Sequence, residues 1–256
     1  MLPPHFQFSG PMPKPALRAQ PDLPAWYASP EGQALRQALQ AQVDRLVPDL
    51  FGCCALQAGF VPTQDDWLRE SRIQHRFILG TSGDLQGHCS ALPVQADSLD
   101  LLLLAHSLDE SEDPHQVLRE AERVLRVEGH LLVIGFNPLS LLGLRAVAPG
   151  LKNRLPEILP GLGSHKLQQA LMPLGFEVIH KAQAGWAPGS GWRSVTPRLQ
   201  GLSGRHLPLL GGAYALLAKK RVSTLTPVHG QRTWRLRSPR LGRGVARPIC
   251  RRGEHD

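Results

Sequence analysis

Apolar and polar positions between residues 99 and 136 follow two different periods. Leu99 to Leu104 is an almost continuous apolar run, too short to span a membrane and suited to a strand buried on both faces. From Asp113-Pro114 onward, apolar residues recur at helical spacing, which predicts a helix with an aspartate N-cap and a first-turn proline. We expect Gly129 to end this helix, and His130 to Phe136 to form a second strand. The pattern therefore predicts a strand–helix–strand unit with parallel strands.

Polar residues follow both predicted strands, where ligands bind in parallel sheets. His106 comes after the first strand, and Asn137 comes after the second. Either residue could face a ligand, but His106 could also be a hydrogen-bonded structural histidine and Asn137 a turn residue. Asp109 and Glu110 could be substrate-side groups or a solvated charge pair before the next helix.

Shorter patterns extend this unit into a larger sheet. They predict further strands at 49–60, 75–79, 176–180 and 211–222, and helices at 29–48, 139–144 and 164–174. Strands and helices alternate, and the count is six or seven strands. The fold class expected is a doubly wound, mostly parallel α/β sheet with helices on both faces.

Composition divides the chain into three parts. Residues 1–28 are proline-rich and predict a flexible arm that Trp26 and Tyr27 could anchor, while 29–222 form the domain. Residues 223–256 have few core-forming residues and predict a disordered tail. From Lys219 to the end there are 11 Lys+Arg and 2 Asp+Glu, which leaves 18 basic and 19 acidic residues elsewhere. The basic stretch 219–252 could bind nucleic acid or remain a solvated tail.

Several classes of function are disfavoured. No apolar run approaches the roughly 20 residues of a membrane span, and the N-terminus lacks the apolar core of a secretory signal. The four cysteines and eleven histidines show no metal-ligand spacing and no disulfide framework. We expect a cytoplasmic protein without a metal site.

Residues 87–135 resemble the small "type 11"-like branch of the class I S-adenosylmethionine-dependent methyltransferases. The resemblance rests on GHCSALPV from Gly87, SLDLLLLAHSLD from Ser98, the Asp113-Pro114 pair and LREAERVL from Leu118. The segment FNPLSLLGLR, at 136–145, is similar to a proteobacterial subgroup of this family.

The resemblance implies a Rossmann-like methyltransferase fold, with a seven-stranded sheet whose last strand, 211–222, is antiparallel. It implies S-adenosylmethionine as the cofactor and an unidentified methyl acceptor. It places His106 and Asn137 on the acceptor side, and it assigns no catalytic residue. The residues implied to line the cofactor crevice are Ala58, Gly59, His88, Ala91, Leu92 and Ala105.

Three positions depart from the family pattern. Only Gly59 remains of the glycine-rich turn after the first strand, no carboxylate stands at Leu79-Gly80, and His88 replaces the adenine-facing aspartate. An alternative is therefore a catalytically silent binding module with the methyltransferase fold, associated with RNA through the basic tail. We expect the substitution Gly59→Asp to block the crevice and to leave the fold intact.

Overall fold

One sheet organises the chain. The structure, a computed structural model, describes residues 23–59, 66–80, 83–138, 140, 162–185 and 211–221. Within them lie six strands in the order β2-β1-β3-β4-β6-β5. The first four strands are parallel, and β6 is antiparallel to both β4 and β5. Their bounds are β1 (Cys54–Gly59), β2 (His75–Ile78), β3 (Leu99–Ala105), β4 (Leu125–Phe136), β5 (Phe176–Gly185) and β6 (Gly211–Lys220).

Helices cover both faces of this sheet. One face packs on α1 (Leu23–Ala28) and α2 (Pro30–Leu46), and the other on α4 (Pro114–Val124) and α5 (Ser164–Leu171). A single turn, α3 (Ser107–Glu110), follows β3. The mostly parallel, doubly wound α/β class with an antiparallel last strand is thus confirmed. None of the described helices is long and apolar enough to cross a membrane.

The described sheet has six strands, whereas the family resemblance implies seven. Among the described residues, the outer edge of β2 meets a turn and not another strand. Ile78 donates its N–H to Asp84 Oδ2 at 2.9 Å and accepts from Leu85 N at 3.1 Å. These bonds occupy the backbone groups that a further strand would need at this residue.

The predicted end of α4 at Gly129 is wrong. The helix stops at Val124, and β4 begins directly with Leu125, so that Gly129 lies inside the strand. The buried ammonium of Lys220 explains this, since it donates to Glu122 O at 2.6 Å and to Leu125 O at 2.8 Å. A cation at the last carbonyls of a helix satisfies groups that would otherwise lack partners.

The predicted domain limits need one correction. Residues 23–28, which the sequence assigned to a flexible arm, form α1 and bury Leu23, Trp26 and Tyr27. The chain divides into two units, Met1–Ser223 and Thr224–Asp256. Residues 1–22, the predicted helix at 139–144 except Ser140, and the second unit lie outside the described residues.

Candidate functional site

The carboxyl ends of β1 and β3 meet at Gly59. This residue pairs with Ala105 and has a φ of +99°. A Cβ atom at Gly59 would lie 2.0 Å from Ser107 Oγ and 2.3 Å from Ala105 O. The Ser107 hydroxyl also donates to Ala58 O at 3.2 Å. Glycine is therefore required by the close approach of α3, and the prediction that Gly59→Asp leaves the fold intact is wrong.

His106 is held in one orientation. Its φ of +55° lies in the left-handed region, and its backbone N–H donates to Ile134 O at 2.8 Å. The imidazole stacks on Phe136 with 4.2 Å between ring centroids and is 1% exposed. Nδ1 lies 3.0 Å from Asp109 Oδ2, and Nε2 lies 2.5 Å from Tyr27 Oη. Both ring nitrogens thus have partners in the chain, as a structural histidine would.

Asp109 sets the tautomer of His106. Its Oδ2 also accepts from Phe136 N at 3.0 Å. Because an ionised carboxylate only accepts, Nδ1 carries the proton and Nε2 accepts from the Tyr27 hydroxyl. Burial, and then the charge of Asp109, raise the pKa of Tyr27, so that its phenol stays protonated and donates.

Two carboxylate oxygens beyond the end of β3 are buried. Asp109 Oδ1 and Glu110 Oε1 have no hydrogen-bond partner among the described residues. Burial, and then the charge of Asp109, raise the pKa of Glu110 to about 7. Asp109 is only 2% exposed, so the prediction of a solvated charge pair is wrong for this residue.

The loop before β3 is clamped to α4. Leu92 N donates to Glu120 Oε2 at 2.9 Å, and the Arg123 guanidinium donates to Leu92 O and Val94 O, both at 3.0 Å. Ala91 N bonds to His88 O at 3.0 Å and closes a tight turn. Three residues predicted to line the cofactor crevice therefore share one fixed loop. The Leu92 side chain itself lies in the core, whereas His88 is exposed.

Asn137 follows the neighbouring strand. Its N–H donates to Gly212 O at 3.0 Å, and its carbonyl accepts from Ser140 Oγ at 2.6 Å. Asn137 is 9% exposed. His106 and Asn137 thus lie at the same edge of the sheet, beyond the adjacent strands β3 and β4.

A cavity of about 230 Å³ lies beside the ends of β1 and β2. Gln57, 1% exposed, accepts from Trp67 N at 3.0 Å and holds the connecting segment in place. Asp84 places a carboxylate at the end of β2. The family pattern led us to expect a carboxylate at Leu79-Gly80 and did not point to Asp84, which lies several residues later and folds back so that its side chain binds Ile78 N at the end of β2. The lining residues are Gln57, Asp66, Leu68, Gln74, Arg76, Phe77, Ile78 and Asp84.

Comparison with known proteins assigns the chain to a family. Residues 66–133 match the methyltransferase domain family. The Escherichia coli (strain K12) protein YafS is 31% identical over 204 residues, which are 78% of this chain and 82% of YafS. The chain belongs to the class I S-adenosylmethionine-dependent methyltransferases.

Solved structures agree with the methyltransferase fold. One is a chain from the complex of the Haloferax volcanii Trm112 methyltransferase activator with a methyltransferase. It superposes with a TM-score of 0.56 at 15% sequence identity, and the match covers 80% of this chain and 100% of that one. Another is a SAM-dependent methyltransferase from Archaeoglobus fulgidus. Its TM-score is 0.50 at 17% sequence identity, and the match covers 72% of this chain and 94% of that one. At these identities the likeness concerns the fold alone.

Other predictions remain untested. The sequence predicts no metal site; within the described ranges, no three His, Cys, Asp or Glu side chains gather where they could hold an ion.

The thiol of Cys89 stays neutral near pH 7, because burial raises its pKa to about 11. Trp186 and Trp192 could by their sequence context cap an acceptor pocket or anchor a long loop, and both lie outside the described residues.

Proposed function

We propose that this protein transfers a methyl group from S-adenosylmethionine to an acceptor at the carboxyl ends of β1, β3 and β4. Family membership supports the reaction class. The observation that carries the proposal is the pair of buried oxygens on Asp109 and Glu110 at the end of β3, which have no hydrogen-bond partner in the part of the chain that the structure describes. A buried carboxylate oxygen without a partner is costly, and an oppositely charged ligand removes that cost.

The cofactor has charges that suit this pair. S-adenosylmethionine carries a sulfonium and an ammonium group, and it supplies an electrophilic methyl group when bound. Glu110 and Asp109 would hold one of the cationic groups. The backbone at Ala58, Gly59 and Ala105 and the loop with His88, Ala91 and Leu92 would line the remainder of the crevice. Asp84 is a further candidate, since its carboxylate can accept from ribose hydroxyls at the end of β2.

The acceptor would bind on the other side, near His106 and Asn137. Methyl transfer from a sulfonium needs little acid–base chemistry, and orientation together with exclusion of water supplies most of the acceleration. The chain provides both, since His106 is 1% exposed and fixed by contacts on both ring nitrogens. A cytoplasmic location belongs to the same proposal.

The silent binding module remains the second candidate, because Ser107 fills the space beside Gly59.

Nucleic-acid binding through residues 219–252 is less well supported at the start of that stretch, because its first three basic residues are paired with carboxylates of the domain. Lys219 pairs with Glu128 at 2.7 Å, and Lys220 pairs with Glu122 at 3.0 Å. Arg221 is likewise paired with two carboxylates. The stretch from 222 onward lies outside the described residues, and its role stays a prediction.

Calorimetric titration with S-adenosylmethionine and S-adenosylhomocysteine tests the proposal. We expect micromolar binding to the wild type and roughly tenfold weaker binding to Glu110→Gln, since a charged contact contributes about 1.5–3 kcal/mol before screening. Glu177→Gln is the matched control, because Glu177 is exposed on β5 and should leave affinity unchanged. No detectable binding up to millimolar ligand would favour the silent module.

A further inference from the structure

We propose that the methyl acceptor is a phenol whose hydroxyl donates to His106 Nε2, and that Tyr27 holds this place until the acceptor binds. This inference rests on the proposed function and names the substrate class of its site. In the structure, the atom bound to Nε2 is already a phenolic oxygen, 2.5 Å away. Tyr27 thus shows which chemical group the position accepts.

His106 is oriented as a general base. Its Nδ1 is bound to the buried carboxylate of Asp109, which also accepts from Phe136 N, so that Nε2 is the acceptor nitrogen of the ring and takes the hydrogen bond of the Tyr27 hydroxyl. A histidine arranged in this way can take a proton from a hydroxyl within hydrogen-bond reach. The left-handed φ of His106, +55°, is the kind of backbone conformation that clusters at functional sites.

The surroundings of the Tyr27 ring select an aromatic acceptor. Trp26 meets this ring edge-on, with 4.9 Å between centroids and 75° between planes. The imidazole of His106 lies 5.6 Å from it at 51°, and Phe136 extends the same cluster, 5.7 Å from Trp26. Such faces favour another aromatic ring, whereas an aliphatic alcohol would leave them partly uncovered.

The exchange proposed here moves the Tyr27 side chain and leaves the α1 backbone, which other contacts hold, in place. The backbone at the end of α1 is fixed to α2, because Ser29 N and Ser29 Oγ both donate to Trp26 O, at 3.0 and 2.6 Å. The space beside Gly32 is filled by Trp26 O and Tyr27 Cα, which would lie 2.2 and 2.7 Å from a Cβ. The ring of an incoming phenol would cover the apolar surface that the Tyr27 ring leaves.

The transfer is balanced in atoms and electrons. The phenolic oxygen forms a bond to the methyl carbon, and the carbon–sulfur bond of the sulfonium donor breaks with its electron pair left on sulfur. The phenolic proton passes to His106 Nε2. The products are an aryl methyl ether, a neutral thioether and a protonated histidine beside Asp109.

Calorimetry with 4-ethylphenol and 4-ethylanisole tests this inference. The two ligands differ in the donor hydroxyl. We expect 4-ethylphenol to bind the wild type at least fivefold more tightly than 4-ethylanisole, and to bind Tyr27→Phe about fivefold more tightly than the wild type. The gain follows because displacement in that variant no longer breaks the hydrogen bond to His106. Equal affinities for the two ligands, or no gain in Tyr27→Phe, would overturn the inference.

Two further variants separate this role from a structural one. Tyr214→Phe removes another buried hydroxyl, which donates to Leu162 O at 2.6 Å, and should leave 4-ethylphenol affinity unchanged. His106→Asn tolerates the left-handed φ and should abolish the preference for phenol over anisole. If it keeps the preference, His106 is not the acceptor's partner and the inference fails.

The failure of this inference can be told apart from failure of the proposed function. Binding of S-adenosylmethionine without a preference for phenol would leave the methyltransferase proposal standing and overturn the phenol acceptor. A preference for phenol without cofactor binding would support the aromatic site and contradict methyl transfer.

Discussion

The β3–α4–β4 unit and the β1–β2 pair are both built on parallel strands, but they are connected differently. An amphipathic helix, α4, joins β3 to β4 and buries Val117, Leu118, Ala121 and Val124. Between β1 and β2 the structure describes residues 66–74, which form turns and contain no helix. In that half, single polar side chains hold the backbone, with Gln57 bound to Trp67 and Asp84 bound to Ile78.

The two halves are therefore stabilised by different interactions. Apolar burial along a helix face is spread over many residues, so no single polar contact dominates the β3–α4–β4 unit. The β1–β2 half depends instead on a few side-chain hydrogen bonds, of which the Gln57–Trp67 bond is buried, and on one glycine. We therefore expect single substitutions in β1 to be costlier than comparable polar substitutions around α4.

Gly59→Ala is the strongest test, because Gly59 lies where the two halves meet. The added Cβ would lie 2.0 Å from Ser107 Oγ, and the residue would keep a φ of +99°. We expect a loss of about 3 kcal/mol or more in the free energy of unfolding, measured by urea denaturation. Gly80→Ala is the control: its Cβ would meet nothing closer than Gly83 N at 4.0 Å. Equal stability of the two variants would show that the halves do not meet tightly at Gly59.

Gln57→Ala tests the polar contact inside the β1–β2 half. Trp67 N would lose its acceptor, the Gln57 oxygen at 3.0 Å, in a buried position. We expect the free energy of unfolding to fall by about 2 kcal/mol in denaturant titrations. Gln86→Ala, at an exposed position, should change it by less than about 0.5 kcal/mol. A loss as small as that of the control would mean that the contact adds little.

Glu110→Gln tests the carboxylate beyond β3 whose Oε1 has no hydrogen-bond partner among the described residues. The pKa of Glu110 is raised from 4.5 to about 7, so the folded state binds a proton more tightly than the unfolded chain. The stability from this proton is complete below about pH 4.5 and is lost as pH rises through about 7. We expect the wild type to lose on the order of 1–2 kcal/mol relative to Glu110→Gln across this window, a value reduced for partial exposure. Parallel stability curves for the two proteins would contradict this.

Asp113→Ala tests the helical half and should have the smallest effect. Asp113 Oδ1 accepts from Gln116 N at 3.1 Å at the start of α4, in an exposed position. Loss of an N-cap costs about 1 kcal/mol. A loss in thermal or urea unfolding larger than that of Gln57→Ala would reverse the comparison between the two halves.

The same contrast explains what the sequence could predict. The apolar runs at 99–104 and 130–136 and the Asp113-Pro114 cap have periods that point to their elements, and these elements are confirmed. The bonds of Gln57, Asp84 and Tyr27 leave no period, because each depends on one side chain reaching a distant backbone or ring. Tyr27 bonds to a residue 79 positions away. The sequence did indicate Trp26 and Tyr27 as anchors of the N-terminal arm, and both are buried, but it could not predict that His106 is the partner.

The proposed methyl transfer requires that a sulfonium donor bind beside the carboxylates beyond β3. The most direct measurement is the pKa of Glu110, followed by carbon-13 NMR of its carboxyl group with and without S-adenosylmethionine. A cation within a few ångströms favours the ionised carboxylate, so we expect the pKa to fall from about 7 toward the ordinary value of 4.5. S-adenosylhomocysteine, which lacks the sulfonium charge, should lower it less. An unchanged pKa with saturating S-adenosylmethionine would place the donor elsewhere and contradict the proposed site.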